Sequence, residues 1–194
     1  MCGRYPGQPE TARELRARFE ALAHVVTVPL HRYLVRRADA HAVDDILAET
    51  LLVLWRRIED VPGLTAGPVA DPDAVLPWCY GVARGCLANA RRAENRRLSL
   101  VERLARTAQR PQPVAPDHTD LQAALGRLSA LDREVLLLWA WEGLAPRQIA
   151  QVSGLTANAV SIRLHRAKKK LAVLLERKDG VPAGHETGEG RSNR

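Results

Sequence analysis

Apolar residues recur along this chain at the spacings of three and four that place them on one side of an α-helix, and strand-like alternation never persists beyond a few residues. Glycine and proline mark where the helices stop. Val61 to Pro77 holds Pro62, Gly63, Gly67, Pro68, Pro72 and Pro77, too many breakers for a regular element. A second break runs from Gln109 to Asp117, stiffened by Pro111, Pro113 and Pro116. The pattern predicts an all-α protein of two small helical domains, residues 11–106 and 118–177, joined by a Pro-rich linker at 107–117. The Gly-, Glu- and Arg-rich tail at 178–194 is expected to be disordered.

The length of 194 residues fits one or two domains. Hydrophobic residues at 46% suffice for a packed core, which excludes wholesale disorder. Lys and Arg exceed Asp and Glu by 29 to 22, and the net charge of +7 points to a polyanionic partner without saying which. There is no uninterrupted apolar run of membrane-spanning length and no signal-peptide pattern behind Met1, so a cytoplasmic protein without a membrane contact is expected. Cys2, Cys79 and Cys86 are odd in number and lack a CxxC, which argues against a disulfide framework or a zinc site. No catalytic constellation is present, and neither enzymatic activity nor a cofactor is expected.

The C-terminal half carries the most informative spacing. Leu121, Leu125 and Leu128 begin an amphipathic helix, and Leu131-Asp132-Arg133-Glu134 opens another through Leu138. Gly143 suits the left-handed residue that ends a helix, and Pro146 suits the first turn of the next, a short helix stopping at Ser153-Gly154. Thr156 is a good N-cap for a final long helix. Ala150, Gly154 and Val160 fall where a helix-turn-helix needs a small residue, a tight turn and a core contact, with Ile149 and Leu155 between the helices. On the last helix Val160, Leu164, Ala167, Leu171 and Leu174 form the apolar stripe. Asn158, Ile162, His165 and Lys169 point the opposite way, flanked by Ser161, Arg163 and Arg166. Such a helix can lie in a major groove, its N-terminal side chains meeting base edges and its basic ones phosphates. His165 has no Cys or carboxylate at ligand spacing, so a groove contact is the better reading than a metal.

Two segments of the N-terminal half have outer faces unlike ordinary solvated ones. From Val43 to Ile58, Val43, Leu47, Leu51, Leu54 and Ile58 make a stripe that Ile46 and Val53 widen. Asp45, Ala48, Glu49, Leu52 and Arg56 lie opposite, with Trp55 at the margin. An outward Leu and Trp among acidic residues suits a docking surface, unless neighbours bury the helix on all sides. In the helix from Trp78 to about Arg97, Cys79, Val82, Cys86, Ala90 and Ala93 cluster on one side, so both cysteines read as small core residues. Gly81, Arg84, Gly85, Ala88, Arg91, Arg92 and Asn95 lie opposite. Small residues admit a close partner and arginines contact phosphates, which marks a second nucleic-acid surface. Trp78 fits equally a core anchor or a platform for an unpaired base.

Over residues 15–175 these stretches resemble an RNA polymerase sigma factor of the extracytoplasmic-function (ECF) group, in the sigma-70 class. Asp44-Asp45, Ala48-Glu49-Thr50 and Trp55 are similar to the family's core-polymerase-binding helix. Trp78-x-Tyr80-x-Val82-Ala83-Arg84, with Asn89 and Arg91-Arg92, resembles its −10-reading helix. Leu131-x-Arg133-Glu134, Glu142-Gly143-Leu144, Ile149-Ala150 and Val160-Ser161-x-Arg163-Leu164-His165-Arg166-Ala167 resemble its −35-reading domain. Ala48 stands in place of the usual Gln, Gly85 where many members carry Asn, and Asn89 where Asp is common.

The resemblance implies that Asp44, Asp45, Glu49, Leu52 and Trp55 dock on the clamp coiled coil of the polymerase β′ subunit. It implies that Trp78, Arg84, Gly85, Asn89, Arg91 and Arg92 hold the melted −10 strand. Thr156, Asn158, Ser161, Ile162, Arg163, His165, Arg166 and Lys169 would read the −35 element, while the second domain touches the β flap. Promoter DNA and core RNA polymerase are the implied partners, and an anti-sigma factor is left open. The rival readings are a stand-alone helix-turn-helix regulator, which binds duplex DNA without polymerase, and a helical adaptor, which has no salt-sensitive DNA affinity.

Overall fold

Thr11 opens the first helix by reciprocal capping. Its hydroxyl accepts the Glu14 N–H at 3.3 Å, and the Glu14 carboxylate accepts the Thr11 N–H at 2.9 Å. A computed structural model describes residues 11–64, 69, 71–104 and 119–179, and its described residues form seven α-helices with no strand. The expected linker at 107–117, Cys2 and residues 180–194 lie outside the described residues, whereas Lys178 and Asp179, expected in the disordered tail, belong to the last helix.

Helix α1 (Ala12–Val35) buries Leu22, Val26, Leu30, Tyr33 and Leu34 along one side. Helix α2 (Val43–Arg56) turns Val43, Ile46, Thr50 and Leu54 inward. Thr50 is fully buried among them because its hydroxyl donates to the Ile46 carbonyl at 2.7 Å, which satisfies the polar atom locally. The helix stops at Arg56, short of the expected Ile58. Arg57 leaves helical geometry, and Ile58 enters a 3-10 turn while staying buried.

Helix α3 (Pro72–Leu104) corrects the expectation that Val61–Pro77 is irregular throughout. Pro72 occupies the first helical position, where no N–H bond is needed, and the Asp71 carboxylate accepts the Asp73 N–H at 2.9 Å. Pro77 lies inside the helix, and its missing N–H deprives the Asp73 carbonyl of its usual partner. The side chain of Gln148 supplies the bond instead, donating to that carbonyl at 3.2 Å. Val75, Cys79, Ala83, Cys86 and Leu87 are buried, and both cysteines are free thiols. Beyond them α3 outlasts its neighbours: residues 91–98 are all exposed, so Ala93 is not part of a buried stripe.

The second group comprises α4 (Thr119–Gly126), α5 (Ala130–Ala140), α6 (Pro146–Ser153) and α7 (Ala157–Asp179). Leu128 falls in the turn between α4 and α5, yet is buried as its periodicity predicts. Ser129 caps α5 by accepting the Asp132 N–H at 3.1 Å. Gly143 and Gly154 both adopt positive φ, 68° and 73°; Gly154 caps α6 as expected, whereas α5 ends at Ala140 with Trp141 as its cap and Gly143 serves the turn that follows. Ile149 and Val152 of α6 are buried, as are Val160, Leu164 and Ala167 of α7, with Leu171 and Leu174 half-buried below them. This is the helix-turn-helix.

The two groups share one continuous set of buried apolar residues, and α6 packs on α3. Gly81 makes that approach close, since a Cβ there would stand 3.9 Å from the Val152 Cα. The small residue on the outer face of α3 does admit a partner, and the partner is the chain's own α6.

Candidate nucleic-acid interface

Helix α7 presents its polar side to solvent. Asn158, Ser161, Ile162, His165, Arg166 and Lys169 are exposed. Thr156, at the turn, uses its hydroxyl to cap the helix by accepting the Ala159 N–H at 3.2 Å. Ser161 donates to the Ala157 carbonyl at 3.0 Å, so its hydroxyl is engaged along its own helix. Arg163 differs from its neighbours: it is half-buried, and its Nη1 bonds the Asp132 carboxylate at 2.9 Å. It ties α7 to α5, and Lys170 donates to the Arg127 carbonyl at 2.9 Å, while Arg166 and Lys169 are exposed. Lys168 lies 3.2 Å from the centre of the exposed Trp139 ring, a cation–π contact on a different side of the helix.

The α3 face is more engaged. Trp78 is half-buried against the core, with the Arg57 guanidinium 5.2 Å from the centre of its ring. Arg84 is half-buried, and Gly85, Asn89, Arg91 and Arg92 are exposed. Arg92 bonds the Asn89 side chain, and Arg91 donates to the Arg37 carbonyl at the end of α1. Trp78, Arg84, Gly85 and Asn89 line a cavity of about 680 Å³ whose opposite wall includes Gln151 and Gly154 of the helix-turn-helix.

On α2, Asp44, Asp45 and Glu49 are exposed, and Leu52 remains 46% accessible. Burial on all sides is thereby excluded. Trp55 is 37% accessible, one edge packed on Phe19 with ring centres 5.2 Å apart. His31 lies 4.0 Å from Asp44 at the edge of this face.

One charged cluster has no counterpart in the sequence reading. Arg37 of the first group bonds Glu134 at 3.0 Å through Nε and Glu142 at 3.2 and 3.3 Å through Nη1 and Nη2. Arg36 also bonds Glu142, and the Tyr33 hydroxyl donates to Glu134 at 3.0 Å. Burial alone would lower the Arg37 pKa, but Glu134, Tyr33 and Glu142 outweigh it and raise it. Burial, with Glu142 adding to it, pushes the nearby Tyr80 hydroxyl up to about 12. Partners about a hundred residues apart leave no local signal. Only the individual charges were visible.

A family model for sigma-70 region 4 matches residues 118–171, the four-helix group that ends in α7. The ECF RNA polymerase sigma factor SigL of Mycobacterium tuberculosis is 31% identical over 155 residues, covering 76% of this chain and 82% of that protein. The chain belongs to the ECF RNA polymerase sigma factors. The RNA polymerase sigma factor NccH of Alcaligenes xylosoxydans xylosoxydans is 28% identical, covering 69% of this sigma factor and 73% of its relative. In fold, the sigma factor is similar to the sigma factor RpoE of Bartonella quintana solved in complex with the anti-sigma factor NepR, with a TM-score of 0.59 at 20% identity. That match covers 81% of this chain and 96% of the other.

Within this sigma factor, the Asp132 carboxyl is held below its ordinary value by the Ser129 hydrogen bond first and by Arg163 next. A depressed folded-state value contributes stability that is complete above the ordinary 3.8 and is lost as pH falls through the lowered value. Asp132→Asn should therefore reduce the unfolding midpoint at neutral pH, with the gap to the parent closing as the solution is acidified below about 4. Thermal melts across pH 2–7 check this, and a gap independent of pH would refute the ionic role.

Proposed function

We propose that this sigma factor assigns its polymerase and promoter contacts to three separate faces of the two helical domains. As an ECF sigma factor it binds core RNA polymerase and directs promoter recognition, melting and initiation. It is not an enzyme. The first domain, residues 11–106, docks on the β′ clamp coiled coil through Asp44, Asp45, Glu49, Leu52 and Trp55. Trp78, Arg84, Gly85, Asn89, Arg91 and Arg92 meet the −10 strand. The second domain, residues 118–177, lays α7 in the −35 major groove and touches the β flap, and the linker at 107–117 spans the two. The site of action is the cytoplasm. An anti-sigma protein is a further partner, by analogy with the similar RpoE solved with NepR.

The observation that carries this reading is α7 itself: one stripe is buried in the helix-turn-helix, and the opposite side leaves Asn158, Ile162, His165, Arg166 and Lys169 exposed. Arg166→Ala should weaken −35-dependent transcription by about 1–3 kcal/mol, roughly 5- to 150-fold, because a side chain meeting bases or phosphates is lost without disturbing the core. Run-off transcription with core polymerase on a promoter recovered from genomic fragments measures it. Unchanged transcription from both Arg166→Ala and His165→Ala would overturn the groove assignment. Specific duplex binding without polymerase would favour the stand-alone regulator.

A further inference from the structure

We propose that Arg36 and Arg37 form a phosphate-binding site for the promoter backbone, and that Glu134 and Glu142 of the second domain occupy it in the closed arrangement. Domain closure and DNA then compete for the same guanidinium groups. The inference rests on the reading of α3 as a DNA-binding helix.

Four observations carry it. The Nη1 and Nη2 of Arg37 take the two oxygens of Glu142 side by side, at 3.2 and 3.3 Å, a fork geometry that suits phosphate as well as carboxylate. The Arg36 Nε is buried without a hydrogen-bond partner, so the carboxylates leave one donor unanswered where a further oxygen is wanted. The site adjoins the arginine face of α3, because Arg91 donates to the Arg37 carbonyl. A phosphate backbone following Arg92 and Arg91 would reach Arg37 next. Finally, the same closure sets Gln151 and Gly154 across the cavity from Trp78, Arg84 and Asn89, so a strand on α3 and α6 in its present seat exclude one another.

The placement of the charges is informative. Only 3% of the Arg37 side chain and 1% of the Glu142 side chain are accessible, and each of these ion pairs joins the first domain to the second. A buried ion pair seldom adds net stability over an apolar one, because desolvation offsets the attraction. An arginine pair with a second, intermolecular partner explains why charges rather than leucines meet at this seam.

The test uses the full chain and two paired variants, Glu134→Gln with Glu142→Gln, and Arg36→Gln with Arg37→Gln. Small-angle scattering reads closure, and fluorescence anisotropy on a short mixed-sequence single-stranded DNA, titrated with salt, reads phosphate contacts. Both variants should expand. The glutamate pair should bind DNA about tenfold tighter than the parent, with a steeper salt dependence by about two contacts, and the arginine pair should open without that steepening. Equal gains in both variants would overturn the phosphate site and leave closure as simple covering. No expansion in either would overturn the latch. Arg92→Ala added to the glutamate pair separates the underlying reading: a loss of affinity supports α3 as a DNA face even where Arg36 and Arg37 fail. Circular dichroism verifies folding, and Glu142→Gln alone replaces the pair where two buried amides prevent it.

Discussion

Asp45→Ala combined with Leu52→Ala should sharply weaken assembly with core RNA polymerase while leaving the fold intact. Both side chains are exposed on α2, Leu52 at 46%, and neither belongs to the buried set of Val43, Ile46, Thr50 and Leu54. Truncating them opens no cavity. At an interface the same atoms matter far more, because a leucine seated in an apolar pocket and a carboxylate opposite a cation are anchors of the kind that dominate binding energy. A loss of about 2–4 kcal/mol, roughly 30- to 700-fold in affinity, is expected. Titration of labelled core enzyme with the variant measures it, alongside a thermal melt that should match the parent. Normal affinity would remove the docking face from α2.

The second large effect is structural. Ile149→Ala should destabilise the helix-turn-helix by about 2–5 kcal/mol, against a total of roughly 5–15 for a domain of ordinary stability. Ile149 is fully buried on a helix of eight residues, where α6 packs against α3, α5 and α7. A helix that short has no independent stability and holds its shape through packing. The cavity therefore loosens the seat of α7 as well as α6. Transcription from −35-dependent promoters should fall with the chemical-denaturation midpoint. Ile149→Leu, which keeps the volume, should cost less than about 1.5 kcal/mol and preserve activity. A midpoint shift from Ile149→Ala no larger than that of Ile149→Leu would contradict the packing argument.

The α5 to α7 region was legible because each of its signals is local. The αL glycines, the Pro146 start and the α7 stripe are readable within a turn or two of chain. The exposed acidic–apolar face of α2 followed from period alone. Thr11-x-x-Glu14, the capping box that starts α1, is an equally local signal. Errors arose where a partner decides the outcome. Ala93 has the spacing of a core residue but lies past the point where α3 has anything to pack on. Pro77 is tolerated in a helix because Gln148, more than seventy residues away, answers the carbonyl it frees. Arg36 and Arg37 look like solvated cations until Glu134 and Glu142 close over them, an arrangement of tertiary origin that no periodicity encodes.

The buried thiols of α3 have a use of another kind. Burial drives the Cys79 pKa up to about 12 and raises that of Cys86, so almost no reactive thiolate exists near neutrality. Cys79 is shut in beneath the surface of the first domain, and Cys86 lines the cavity that α6 helps to close. Under an alkylating reagent each sulfur should react only when the packing over it opens, so the two labelling rates compare the opening beside the cavity with that of the domain interior.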